Sequence, residues 1–267
     1  MKRGGVLSKL VLDTGVDIPY ADAQIMIHQP TVKELSLIGG EQTMLIACDA
    51  LTRNYQNFVD DFDESEATNF DIIMTIINKK TEDNKILVIK QSLSDLFFIL
   101  FPKYNVVFTP RSIIFQEDTE QGKINHMIDS SNFEGFADII YDIFCLIEFE
   151  GSDTSNYNPS GPRAAALVEK FKKKKEYLAQ LKRERGEAEE NLSLLQRYIS
   201  VLAVGEQKNK NELSDYTVFQ LMEEYKRYLA KEEFDFTVQA KLAGATKIKD
   251  AKDWMDNIQF GNYNEQQ

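Results

Sequence analysis

Two hydrophobic periods run along this chain, and they occupy different halves. Up to about residue 150 the apolar positions come in short runs separated by turn residues. Beyond it they recur every three to four residues across Lys-rich and Glu-rich sequence, the spacing of one helix face. In the first half, Val6 to Leu12, Val16 to Tyr20 and Gln24 to His28 are short and extended in pattern, separated by Asp13-Thr14-Gly15 and Ala21-Asp22-Ala23 turns, which predicts hairpin strands. Pro30-Thr31-Val32-Lys33-Glu34 predicts a capped helix: the Thr31 hydroxyl can accept from the Glu34 amide while the Glu34 carboxylate reaches back to the Thr31 amide. Gly39-Gly40 ends it. Helices are predicted from Glu41 to Asn54 and from Asn69 to Asn78, and another opens at Ser92-Leu93-Ser94-Asp95 and stops at Pro102. Strands return at Tyr104 to Thr109, Ser112 to Gln116 and Lys123 to Ile128, with Gln121-Gly122 as a turn. Ser131-Asn132-Phe133-Glu134 repeats the capping arrangement, and Phe133, Phe136, Ile140, Phe144 and Ile147 mark the buried face of the helix that follows.

The second half keeps a heptad phase through Leu167, Phe171, Leu178, Leu181, Ala188, Leu192, Leu195, Ile199 and Leu202. Lys174 and Arg185 interrupt it, and Gly186 lies inside it, so the pattern suits either one helix of about 60 Å or two helices hinged near the glycine. We read the phase as an intramolecular hairpin or bundle ahead of an intermolecular coiled coil. A further helix starts near Ser214 or Asp215 and carries Val218, Leu221, Met222, Tyr225, Tyr228 and Leu229 on one side. Phe234 to Ala243 continues it, Gly244 ends it, and Lys249 to Ile258 forms a last short helix. Gly151 to Pro162, rich in Gly, Ser, Asn and Pro, is the natural linker. The expected organisation is an α+β N-terminal domain over 1–150, built of short antiparallel strands with helices. The linker follows over 151–162, then an all-α helical domain over 163–260 and a frayed tail over 261–267.

Composition narrows the function. The 267 residues are 43% hydrophobic and 28% charged, which excludes a disordered chain and suits one large or two modest domains. The net charge of −12 argues against a uniformly attractive field for nucleic acid or an anionic membrane. The basic exception is Arg163 to Gly186, which includes Lys172-Lys173-Lys174-Lys175. A helix spreads that run around its axis, so it reads as a solvated face or a dock for an acidic surface rather than a reader of bases. The longest apolar run, near Leu96 to Phe101, falls far short of the ~20 residues of a membrane helix. With no signal-peptide pattern behind Met1-Lys2-Arg3, a cytosolic protein is expected.

Reactive constellations are not expected either. His28 and His126 each fall on a predicted strand without spacing to a nucleophile. Cys48 and Cys145 sit in apolar helical patterns as small hydrophobes, and two cysteines with two distant histidines match no zinc spacing. The acidic stretch from Asp60 to Glu66 fails as a calcium loop, having Glu66 where a glycine should turn and Ile72 where a bidentate Glu should bind. No glycine-rich phosphate loop is present. No catalytic residue, cofactor or metal is therefore assigned.

Several blocks resemble a known family. Tyr157-Asn158-Pro159, the run from Arg197 to Gly205 and the run from Tyr216 to Leu221 look like proteins from the tail modules of Gram-positive tailed phages. Glu223-Glu224-Tyr225-Lys226-Arg227-Tyr228, Phe234-Asp235, the run from Lys241 to Ala245 and Asp253-Trp254-Met255 are similar to the ending of tail assembly or baseplate hub assembly chaperones. The run from Ile27 to Glu34 resembles their early segment. The resemblance implies a non-enzymatic assembly factor of the host cytoplasm that binds a tape measure or baseplate hub protein of the same phage, with no direct nucleic-acid or membrane partner and room for homo-oligomers. A permanent component of the baseplate or neck is the alternative. For such a role Tyr225, Tyr228, Phe234, Phe236, Trp254 and Met255 are the candidate partner-binding anchors, because aromatic side chains supply large contact areas with few rotors. At helical spacing the same residues also suit the core of a C-terminal bundle.

Overall fold

The computed structural model describes residues 5–52, 68–78, 83–120, 122–146, 193–244 and 253–255. The fold is mixed α and β: short antiparallel strands with helices come first, and a helical region follows. The predicted strand over Val6 to Leu12 is instead helix α1 (Lys9–Thr14), closed by Gly15 at φ 65°. Six residues cannot separate the two periods, and the burial of Leu12 on one side favours the helix. Gly15 is required twice over. Its positive φ disfavours any L side chain, and an added Cβ would lie 3.2–3.3 Å from Gln220 and Thr217.

Strands β1 (Ile18–Tyr20) and β2 (Ile25–Ile27) form the expected hairpin, in the register Ile18↔Ile27, Pro19↔Met26, Tyr20↔Ile25. Helix α2 (Val32–Leu37) starts from the predicted capping box: Glu34 N donates to Thr31 Oγ1 at 3.1 Å, and Thr31 N to Glu34 Oε2 at 2.7 Å. Helices α3 (Glu41–Thr52) and α4 (Asn69–Asn78) follow. Helix α5 (Asn84–Leu100) begins eight residues before the expected Ser92, which lies buried inside it. Strands β3 (Asn105–Phe108), β4 (Ile113–Thr119) and β5 (Gly122–Ile128) make an antiparallel meander in that order. Helix α6 (Phe133–Ile143) starts without the expected capping box. Asn132, at its N-cap, accepts from Asp129 N, and the Ser131 hydroxyl donates to Asp129.

The core of this part is aromatic. Phe97 of α5, Phe101 just beyond it, Phe115 of β4 and Phe136 of α6 are buried, with ring centroids 4.6–6.2 Å apart. The pattern reflects one apolar face from each element meeting at the same point. Cys48 and Cys145 are buried, and burial raises the Cys48 thiol well above its ordinary value.

Among the described residues the later part holds α7 (Leu194–Gly205), α8 (Lys210–Ser214) and α9 (Val218–Leu242). The start expected near Ser214 or Asp215 lies at Val218. Thr217 wins because it completes a capping box with Gln220, a side chain at the right spacing, whereas Ser214 ends the preceding short helix. The basic stretch 163–186, the linker 151–162 and the tail 261–267 lie outside the described residues. So does the last short helix expected over Lys249 to Ile258, apart from 253–255, which form a turn.

The later helices join the same buried core as the first part, through Leu195, Leu202, Leu213 and Leu221. At the seam the two capping boxes sit side by side. Thr31 and Thr217 form a β-bridge, and the Val32 amide, a first-turn donor with no partner in its own helix, donates to the Tyr216 carbonyl at 2.9 Å. Gln220 Nε2 reaches Asp13 O at 2.7 Å, and Glu41 Oε2 accepts from Leu195 N at 2.8 Å. Gln29, buried, donates to the carbonyls of Val11 and Val16 at 3.0 and 2.7 Å and fixes α1 behind the seam. Thr217→Ala removes the cap of α9 at this junction and is expected to cost about 1 kcal/mol, read from the urea midpoint of the full chain.

His28 ties the neighbouring elements electrostatically. Its Nδ1 lies 2.9 Å from Asp17 Oδ1 and its Nε2 3.3 Å from Glu34 Oε2, while Lys103 Nζ donates to Asp17 at 3.3 Å. Burial alone would raise both carboxyls. Hydrogen bonds from His28 and Lys103 to Asp17, and from Thr31 and His28 to Glu34, outweigh it and hold both below their ordinary values. A depressed carboxyl contributes stability that is fully present above its unfolded value, about 4, and is lost as pH falls through its folded value. The urea midpoint should therefore drop on acidification below about pH 4, and drop less in Asp17→Asn than in the parent chain.

Candidate functional site

Helix α9 is 25 residues long, about 37 Å, and its two ends differ. The first turns are core: Val218, Phe219, Leu221 and Met222 are buried. Tyr225 is half-buried and stacks on Tyr198 of α7, with centroids 3.9 Å apart and planes within 13°. Tyr228 packs against Gly205, the last residue of α7, so closely that an added Cβ there would collide with its ring edge and hydroxyl.

Charge holds this end in place. Glu223 accepts from Lys9 Nζ and Arg227 Nε, both at 3.0 Å. Burial would raise the Glu223 carboxyl, but these hydrogen bonds outweigh it and hold it low. Lys208 sits between Glu206 and Glu224, 5.6 Å from the centroid of the Tyr216 ring. Hydrogen bonds to both carboxylates raise its amine despite burial. Arg227 also donates through Nη1 to the Trp254 carbonyl at 3.0 Å, so by Trp254 the chain has doubled back along α9.

Beyond Tyr228 the helix emerges. Leu229 is 45% exposed, Phe236 69% and Leu242 83%, whereas Thr237 is buried. The six anchors expected from sequence therefore separate. Tyr225 and Tyr228 pack inside the helical region, Phe234 and Trp254 are half-buried, and Phe236 and Met255 face solvent. Sequence reasoning passed over Leu229 as an anchor although it stands seven residues before Phe236, and passed over Glu232 and Glu233, both exposed between them. The seven-residue spacing was the available signal.

Among the described residues no group of three or more His, Cys, Asp or Glu side chains is placed to hold a metal ion, and no helix is long and apolar enough to cross a membrane.

Residues 187–259 match the family model described as the YomV second domain. That family is of phage type, and the match points to a bacteriophage protein. It spans α7, α8, α9 and the return to Trp254, so the exposed end of α9 belongs to the matched segment. No curated protein and no solved structure matches the chain.

Proposed function

We propose that this chain is a non-enzymatic phage tail assembly chaperone that holds a tape measure or baseplate hub protein in the host cytoplasm until the tail is built around it. The observation that carries the reading is the exposure of Leu229, Phe236 and Leu242 on the distal part of α9, within the segment that matches a phage-type family. A tape measure subunit presents long apolar stripes before assembly, and a rigid helix face with exposed Leu and Phe side chains can cover one. Rigidity comes from the seam: the capping boxes, the Thr31–Thr217 bridge and the Lys9–Glu223–Arg227 bonds fix α9 before any partner arrives, which lowers the ordering cost of binding. His28 works within that frame as a clamp between Asp17 and Glu34.

Coexpression with the tape measure and hub proteins of the same phage tests the reading. One of them should move from the insoluble to the soluble fraction and co-purify with the chain, and mass spectrometry of finished particles should find the chain absent or substoichiometric. Stoichiometric recovery from particles would make it a permanent baseplate or neck component instead.

A further inference from the structure

The distal face of α9 carries its own specificity. At 3.6 residues per turn, Met222, Tyr225, Leu229, Phe236 and Ala240 fall on one stripe. Met222 is buried and Tyr225 is covered by Tyr198; α7 then ends at Gly205 against the Tyr228 ring, and Leu229, one residue on, is already open. The stripe that packs into the core thus opens to solvent at Leu229 and Phe236 and is half-buried again at Ala240. The helix is not free all round there, since Thr237, next to Phe236, is buried and Arg227 holds the returning chain at Trp254. Exposed Glu232 and Glu233 lie on opposite sides of the stripe, between Leu229 and Phe236.

We infer that this face, on the reading of the chain as a binding protein, docks an amphipathic helix of the partner whose apolar heptad seam is flanked by Lys or Arg. The seven-residue step from Leu229 to Phe236 matches the repeat of a packed helix, and the two flanking carboxylates select positive flanks. A second copy of this chain is disfavoured on the same face. Two α9 helices paired through the stripe would bring Glu232 and Glu233 of each against those of the other.

The test uses the full chain and two labelled peptides of about four heptads, with Leu at a and d and either Lys or Glu at e and g, followed by fluorescence anisotropy. The Lys-flanked peptide should bind at least tenfold more tightly than the Glu-flanked one, a difference of about 1.4 kcal/mol. Phe236→Ser should weaken it at least tenfold with the thermal melt unchanged, whereas Phe236→Leu should retain it. The double substitution Glu232→Lys, Glu233→Lys should reverse the peptide preference. Equal binding of the two peptides, or binding indifferent to Phe236→Ser, overturns the inference. So does a dimer of the chain that Phe236→Ser dissociates, which would assign the face to a second copy. Peptide selectivity without client solubilisation would sink the chaperone reading alone, and client solubilisation unaffected by Phe236→Ser would sink this face alone.

Discussion

Phe97→Ala is expected to lower the unfolding free energy by about 3–5 kcal/mol, the range for emptying a buried aromatic site. Phe97 is buried, and its ring lies 5.2–6.2 Å from those of Phe101, Phe108, Phe115 and Phe136, so α5, β3, β4 and α6 all lose a neighbour at once. Since most domains have only about 5–15 kcal/mol in hand, the variant should unfold at markedly lower urea. The later helices share this core through Leu195, Leu202 and Leu221, so far-ultraviolet ellipticity from the whole chain should be lost with it. A loss below about 1 kcal/mol would mean that the aromatic cluster collapses into the space and is not the keystone described.

Gly205→Ala should destabilise by about 1–3 kcal/mol although alanine is worth about 1 kcal/mol more than glycine inside a helix. The new Cβ would collide with Cε2, Cζ and the hydroxyl oxygen of Tyr228, whose ring is packed where α7 meets α9. In a Tyr228→Ala background the clash is gone, and Gly205→Ala should become neutral or stabilising. A double-mutant cycle therefore isolates the contact. If Gly205→Ala alone stabilises the chain, Tyr228 swings aside freely and the α7–α9 junction is looser than the geometry implies.

How much of this was legible depended on the range of the interactions. The Thr31–Glu34 box could be read directly because its partners are three residues apart, and so could the hairpin from Ile18 to Ile27 and the meander of β3 to β5. Helix α1 was misread because its run is too short for either period to assert itself, and the start of α5 because Ser92 offered a capping motif in the middle of a helix. The Thr217–Gln220 box lay three residues beyond the expected helix start. The seam was invisible, since Thr31 with Thr217 and Lys9 with Glu223 pair across about two hundred residues and no local pattern announces them. At the candidate site, periodicity placed Tyr225, Tyr228, Leu229 and Phe236 on a helix, but only the packing of α7 separates those it covers from those it leaves open.

The most direct measurement of the central claim is light scattering after a denatured tape measure or hub protein of the same phage is diluted into buffer. With an equimolar amount of the purified chain present, scattering should stay near baseline and the two polypeptides should elute together from a sizing column. Scattering that rises as fast as with an inert acidic protein, for every morphogenesis protein tried, would contradict the account.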